Sequence, residues 1–108
     1  MRFSDITQAF DASTPGSDAF LAVKTGAQAL IGADPANAAA YFLIYGYARN
    51  YVILHDDEPI TLAYAQASKQ QLLGYMRQLE AALPLGPAAL LQAMSAIVSD
   101  YLKSSKPF

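Results

Sequence analysis

Cysteine is absent from this 108-residue chain. That excludes a disulfide framework, a thiolate metal site and a cysteine nucleophile. Histidine occurs once, at His55, so any imidazole chemistry must use that position. Charge is scarce: Asp, Glu, Lys and Arg make up 15% of the chain, against about 25% in ordinary globular domains. The net charge is −2, from 7 basic and 9 acidic residues. No Lys/Arg cluster occurs anywhere, which argues against phosphate-backbone binding and so against a nucleic-acid partner. Glycines stand singly, so no phosphate-cradling loop exists. No Gly-x-Ser-x-Gly turn is present to display a serine nucleophile. The most apolar window, Ala38 to Leu54, is marginal in length for a membrane span and holds Arg49 and Asn50. The opening stretch MRFSDITQAF has one basic residue, then Asp5 and no apolar run. No signal peptide is expected, and the cytoplasm is the default setting.

What is abundant is apolar residues, at 54%. A chain of this length forms one domain with a real core. Yet a small helical domain has much surface, and should be more polar than this. The excess implies that some apolar surface is covered by something else. A second copy of the same chain is the simplest cover. A different protein or an apolar ligand is the next.

The chain is organised around Asp34 to Glu58. Asp34-Pro35 reads as a helix start, with Asp as N-cap and Pro in the first turn. The run to Leu54 is then almost wholly apolar, Arg49 being its only formal charge. At 100° per residue, Tyr41, Ile44, Tyr45, Ala48, Tyr51 and Val52 share one face. Phe42, Leu43, Gly46, Ile53 and Leu54 lie broadly opposite. A helix apolar on all sides is expected to be buried on all sides. The alternative is two strands turning at Ala48-Arg49-Asn50, since the flanks are rich in aromatic and β-branched residues. The alanine run before it and the helical pattern after it favour the helix.

The rest of the chain follows helical spacing. Phe3, Ile6 and Phe10 mark a short helix over 4–12, capped by Ser4 or Asp5. Ser13-Thr14-Pro15-Gly16 breaks it. Ser17 is expected to cap a helix over 17–31, with Gly26 marking a close helix contact and Gly32 ending it. The central helix spans 35–55. Asp57 is expected to cap a helix over 58–83, and Pro84 to Pro87 separates it from the last, over 87–103. That last helix carries Leu90, Leu91, Met94, Ile97, Val98 and Tyr101 on one stripe. Residues 104–108 read as a loose tail. Short connections make neighbouring helices antiparallel. The expected fold is all-α, an antiparallel bundle of four long helices with a short N-terminal helix, in one domain over 1–108.

Chemistry is thinly supported. His55 with Asp56, Asp57 and Glu58 invites a metal or acid–base reading. No Glu lies three residues before His55, as the helical di-iron pattern needs. The acids suit a helix boundary instead. No metal, no cofactor and no catalytic residue is therefore assigned, and an enzyme using His55 and Asp56 is the least favoured reading. The tyrosines are the more distinctive feature. Tyr41, Tyr45, Tyr47 and Tyr51 crowd one helix with Arg49, and Tyr64 and Tyr75 lie on the next. Tyr and Arg are residue types that anchor protein interfaces. These seven positions are the candidate interface or ligand-binding residues. The expected function is association without catalysis, as a homodimer or as an adaptor or chaperone-like protein. The alternative is a small apolar ligand held in a tyrosine-lined pocket.

Overall fold

A computed structural model of the chain describes residues 1–108. It contains five α-helices and no strand: α1 (Phe3–Ala12), α2 (Ser17–Ala33), α3 (Ala38–His55), α4 (Leu62–Ala82) and α5 (Pro87–Lys103). The fold is all-α, a bundle of four long helices with a short one at the N-terminal end. α2 and α3 form the most extensive pairing. α1 lies across α2 and α4, and α5 packs on α4 and more lightly on α3.

Each helix starts and stops for a local reason. α1 is closed at its N-terminal end by the Asp5 carboxylate, which accepts from the Arg2 N–H at 2.8 Å. At its other end the buried Lys69 ammonium, from α4, donates to the carbonyls of Asp11 (2.7 Å) and Ser13 (2.6 Å). These carbonyls end the helix and would otherwise lack partners. Arg77 adds an exposed ion pair to Asp11 at 3.1 Å. α5 opens on Gly86, whose φ of 103° suits glycine alone, followed by Pro87 in the first turn.

The expected helix ends shift in four places. Ser17 does not cap α2; its hydroxyl donates to the His55 carbonyl at 3.5 Å, tying the start of α2 to the end of α3. α2 continues past Gly32 to Ala33, and Pro35 stops it. The next residues, Pro35–Asn37, form a single 3-10 turn before α3 begins at Ala38. Asp34 caps no backbone amide with its side chain. Its carboxylate instead accepts from the Tyr41 hydroxyl (2.6 Å) and the Asn37 amide (2.9 Å). α4 begins at Leu62 rather than near Glu58, because Thr61 supplies the cap: its hydroxyl accepts from the Tyr64 N–H at 3.1 Å. Pro59 keeps Glu58 out of helical geometry.

Two expectations about burial are overturned. α3 is not buried on all sides. Ala40, Ile44, Tyr47, Ala48 and Tyr51 face the core, while Phe42 is 62% exposed and Ile53 61%. α5 and α4 together do not reach round to that outer face. The 104–108 tail is not loose either: Phe108 is only 1% exposed. Pro107 and Phe108 form an apolar pair after the polar Ser104-Ser105-Lys106, and the pair folds back into the core. Gly26 does mark a close contact, since a Cβ there would lie 2.9 Å from Ile6 Cδ1 of α1. Gly46 marks none: nothing lies within 4 Å of the place its Cβ would occupy. No helix is long and apolar enough to cross a membrane.

Candidate functional site

The core is unusually aromatic along one line. Phe10 of α1 meets Phe20 of α2 edge-on, with ring centroids 5.2 Å apart. Phe20 stacks on Tyr51 of α3 at 3.7 Å, with the rings 12° from parallel. Phe108 enters beside them. Its ring centroid lies 6.2 Å from Phe20, 5.2 Å from Tyr47, 5.8 Å from Tyr101 and 6.3 Å from Tyr75. Four helices thus each give one ring to the seat of Phe108. Tilted and edge-on pairs at such distances each add stabilisation beyond simple burial.

The seat also grips the backbone of the segment it holds. The Tyr101 hydroxyl donates to the Phe108 carbonyl. His55 Nε2 lies 3.0 Å from the Pro107 carbonyl. A carbonyl only accepts, so Nε2 carries the proton in this contact. Nδ1 is buried and has no partner, as is the Tyr51 hydroxyl. The two rings are neighbours, 4.8 Å apart, yet they do not satisfy each other. The Tyr64 hydroxyl stands 3.5 Å from Nε2 at the exposed side. At the opposite rim, Tyr75 donates to Asp100 at 2.6 Å and accepts from Gln71 at 3.0 Å. Gln71 also reaches Ser104 Oγ at 3.1 Å, where the segment leaves α5.

Burial and these partners move the phenols in one direction. Desolvation, then the nearby Tyr101, pushes Tyr47 up to about 12. Desolvation and the bond to Asp100 push Tyr75 well above the usual phenol range. Tyr51 rises through desolvation too. Tyr41, desolvated and bonded to Asp34, reaches about 12. In return the Tyr41 hydroxyl and the Asn37 amide hold Asp34 below the ordinary carboxylate range.

The seven candidate residues therefore divide. Tyr41, Tyr47, Tyr51 and Tyr75 lie in the core, none more than 7% exposed. Only Tyr47 and Tyr75 are ring neighbours, with centroids 5.8 Å apart; Tyr41 stacks on Phe3 and Tyr51 on Phe20. Tyr45 is half-buried beside Phe42, with ring centroids 5.8 Å apart. Arg49 and Tyr64 are exposed. Arg49 forms no ion pair; the only one in the molecule joins Arg77 and Asp11. Asp56, Asp57 and Glu58 all face solvent, whereas the His55 ring faces the tail. No three His, Asp or Glu side chains converge. Tyr41 borders a cleft of about 560 Å³ at one end of the bundle, with Arg2, Asp34, Asn37 and Glu80 around it. Tyr45 and Tyr51 line none of the main clefts.

The outer surface holds a second feature. Leu91, Val98 and Leu102 of α5 are exposed, Leu91 by 65% and Leu102 by 61%. Their spacing of seven and four residues puts them on one stripe. At 100° per residue Asp100 and Lys103 fall off this line, and the polar Ser95 is the residue set between Leu91 and Val98. The matching stripe on α3 is Phe42, Gly46, Arg49 and Ile53, and there Arg49 does interrupt. Compared with known proteins, the chain matches no family model, no curated protein and no solved structure.

Proposed function

We propose that this protein acts by association, without catalysis, and that its first partner is a second copy of itself in a cytoplasmic setting. The carrying observation is the Leu91–Val98–Leu102 stripe. The accessible surface totals 6018 Å², close to the roughly 5,800 Å² expected of a compact monomer of this mass. The apolar excess is thus not an opened half-domain. It is an ordinary globule whose surface is apolar in stripes. A standard interface takes about 800 Å² from each partner, a small part of this surface. A charge-free stripe carries no group that would reject its own copy, and two copies related by a two-fold axis can lay one stripe on the other. Exposed apolar side chains aligned along one helix face are the kind of surface that an interaction can cover.

Light scattering after size exclusion, over a wide concentration range, tests this. A dimer is expected at micromolar concentration. Replacing Leu91 and Leu102 together by Glu should dissociate it while leaving the helical circular dichroism and the melting temperature of the monomer intact. A monomer at every concentration, or a dimer indifferent to that double substitution, refutes the proposal.

A further inference from the structure

The Ser104–Phe108 segment has the attributes of an exchangeable arm. Its anchor is a single side chain, Phe108, in a seat built by α2, α3, α4 and α5. Its backbone is held by two side-chain donors, His55 and Tyr101, rather than by secondary structure. Its connection is short and strained. Lys106 has φ 54°, the only non-glycine residue in the chain with a positive φ. Left-handed geometry is unfavourable for a side chain such as lysine. His55, which holds Pro107, and its ring neighbour Tyr51 each keep a buried polar atom without a partner, Nδ1 and the phenol hydroxyl. An arm with good anchor contacts and a strained hinge is the arrangement in which exchange between copies costs least. Every anchor contact is remade in the partner's seat, and the hinge is released.

Building on the association proposed above, we infer that the dimer exchanges its 104–108 segments, so that Phe108 of each copy fills the aromatic seat of the other. Five residues span about 18 Å at most. The two seats must therefore lie close together, and the ends of the two α5 helices must meet near the two-fold axis. Leu102 is exposed one residue before the end of α5. The stripe proposed as the interface thus ends where the arm begins. The exchanged segment then supplies a residue without which each seat is empty.

An isotope-filtered nuclear Overhauser experiment reads this directly. Equal amounts of labelled and unlabelled full-length protein are unfolded, mixed and refolded together. Contacts from the Phe108 ring to the Tyr47 and Tyr75 rings should cross between labelled and unlabelled chains. Lys106→Gly supplies an independent reading. It relieves the hinge in the closed form, so it should weaken the dimer, by about fivefold per hinge. Two hinges close for each dimer lost, giving about 25-fold in the dissociation constant. A dimer whose Phe108 contacts are all within one chain overturns the exchange and leaves the association standing. A monomer at all concentrations removes both. Strengthening of the dimer by Lys106→Gly overturns the role given to the hinge.

Discussion

Raising the pH past about 10 should unfold this protein cooperatively, because its buried phenols resist ionisation. An unfolded tyrosine titrates near pH 10. In the folded chain Tyr41 and Tyr47 are held up to about 12, and Tyr75 well above its usual range. A raised folded value means the stability is complete below about pH 10. It is lost as the pH climbs from there toward the folded values, since only the unfolded chain can release those protons. Between about pH 10 and 11 each such tyrosine withdraws about 1 kcal/mol. Tyr41, Tyr47 and Tyr75 together withdraw about 3 kcal/mol over that interval, and Tyr51 adds to it. A domain of this size holds about 5–15 kcal/mol in all. The helical circular dichroism should therefore collapse at about pH 11 to 12, with a jump in tyrosinate absorbance at the same pH. Smooth ionisation of all seven tyrosines near pH 10, with helicity retained, would refute the reasoning.

Other substitutions separate the roles of single groups. Tyr51→Phe removes an unpartnered buried hydroxyl and should be neutral or stabilising, by up to about 1 kcal/mol in chemical denaturation. Tyr75→Phe, which loses the bonds to Asp100 and Gln71, should destabilise by about 1–2 kcal/mol in the same assay. Lys69→Met strips the partners from two carbonyls at the end of α1 and should cost about 2–3 kcal/mol, with amide exchange in α1 quickening first. Gly46→Ala, in open space within α3, should raise the midpoint of urea unfolding by about 0.5–1 kcal/mol in free energy.

The helices were legible in the sequence because their apolar spacing is plain. Phe3, Ile6 and Phe10 are buried together as their register implies. The burial of α3 was over-read: periodicity shows which residues share a face, but the number of neighbours decides how many faces are covered. Its Phe42 and Ile53 face outward because nothing packs there. Cap positions were misread where several acceptors competed. Thr61 outdid Asp57, and Asp34 gave its carboxylate to side chains instead of the backbone. The seat of Phe108 was hidden for a different reason. Its parts lie up to 88 residues apart, from Phe20 to Phe108, and no local pattern links them. One signal was present: an apolar Pro-Phe pair set beyond a short polar linker. His55 stands out in the sequence for its acidic neighbours, whereas in the fold its ring meets the Pro107 carbonyl.

The Lys69 clamp has a consequence for the order in which the chain can become ordered. The carbonyls it holds belong to Asp11 and Ser13, 58 and 56 residues earlier. At synthesis rates of about 5–20 residues per second, that separation corresponds to roughly 3–12 s. For that interval α1 has α2 to lie against and Ser13 to hold its Phe10 carbonyl, but nothing to take the carbonyls of Asp11 and Ser13. α1 is thus finished by a side chain that emerges much later. A nascent chain halted before α4 should carry a frayed α1, with Phe3, Ile6 and Phe10 intermittently open to whatever binds apolar segments.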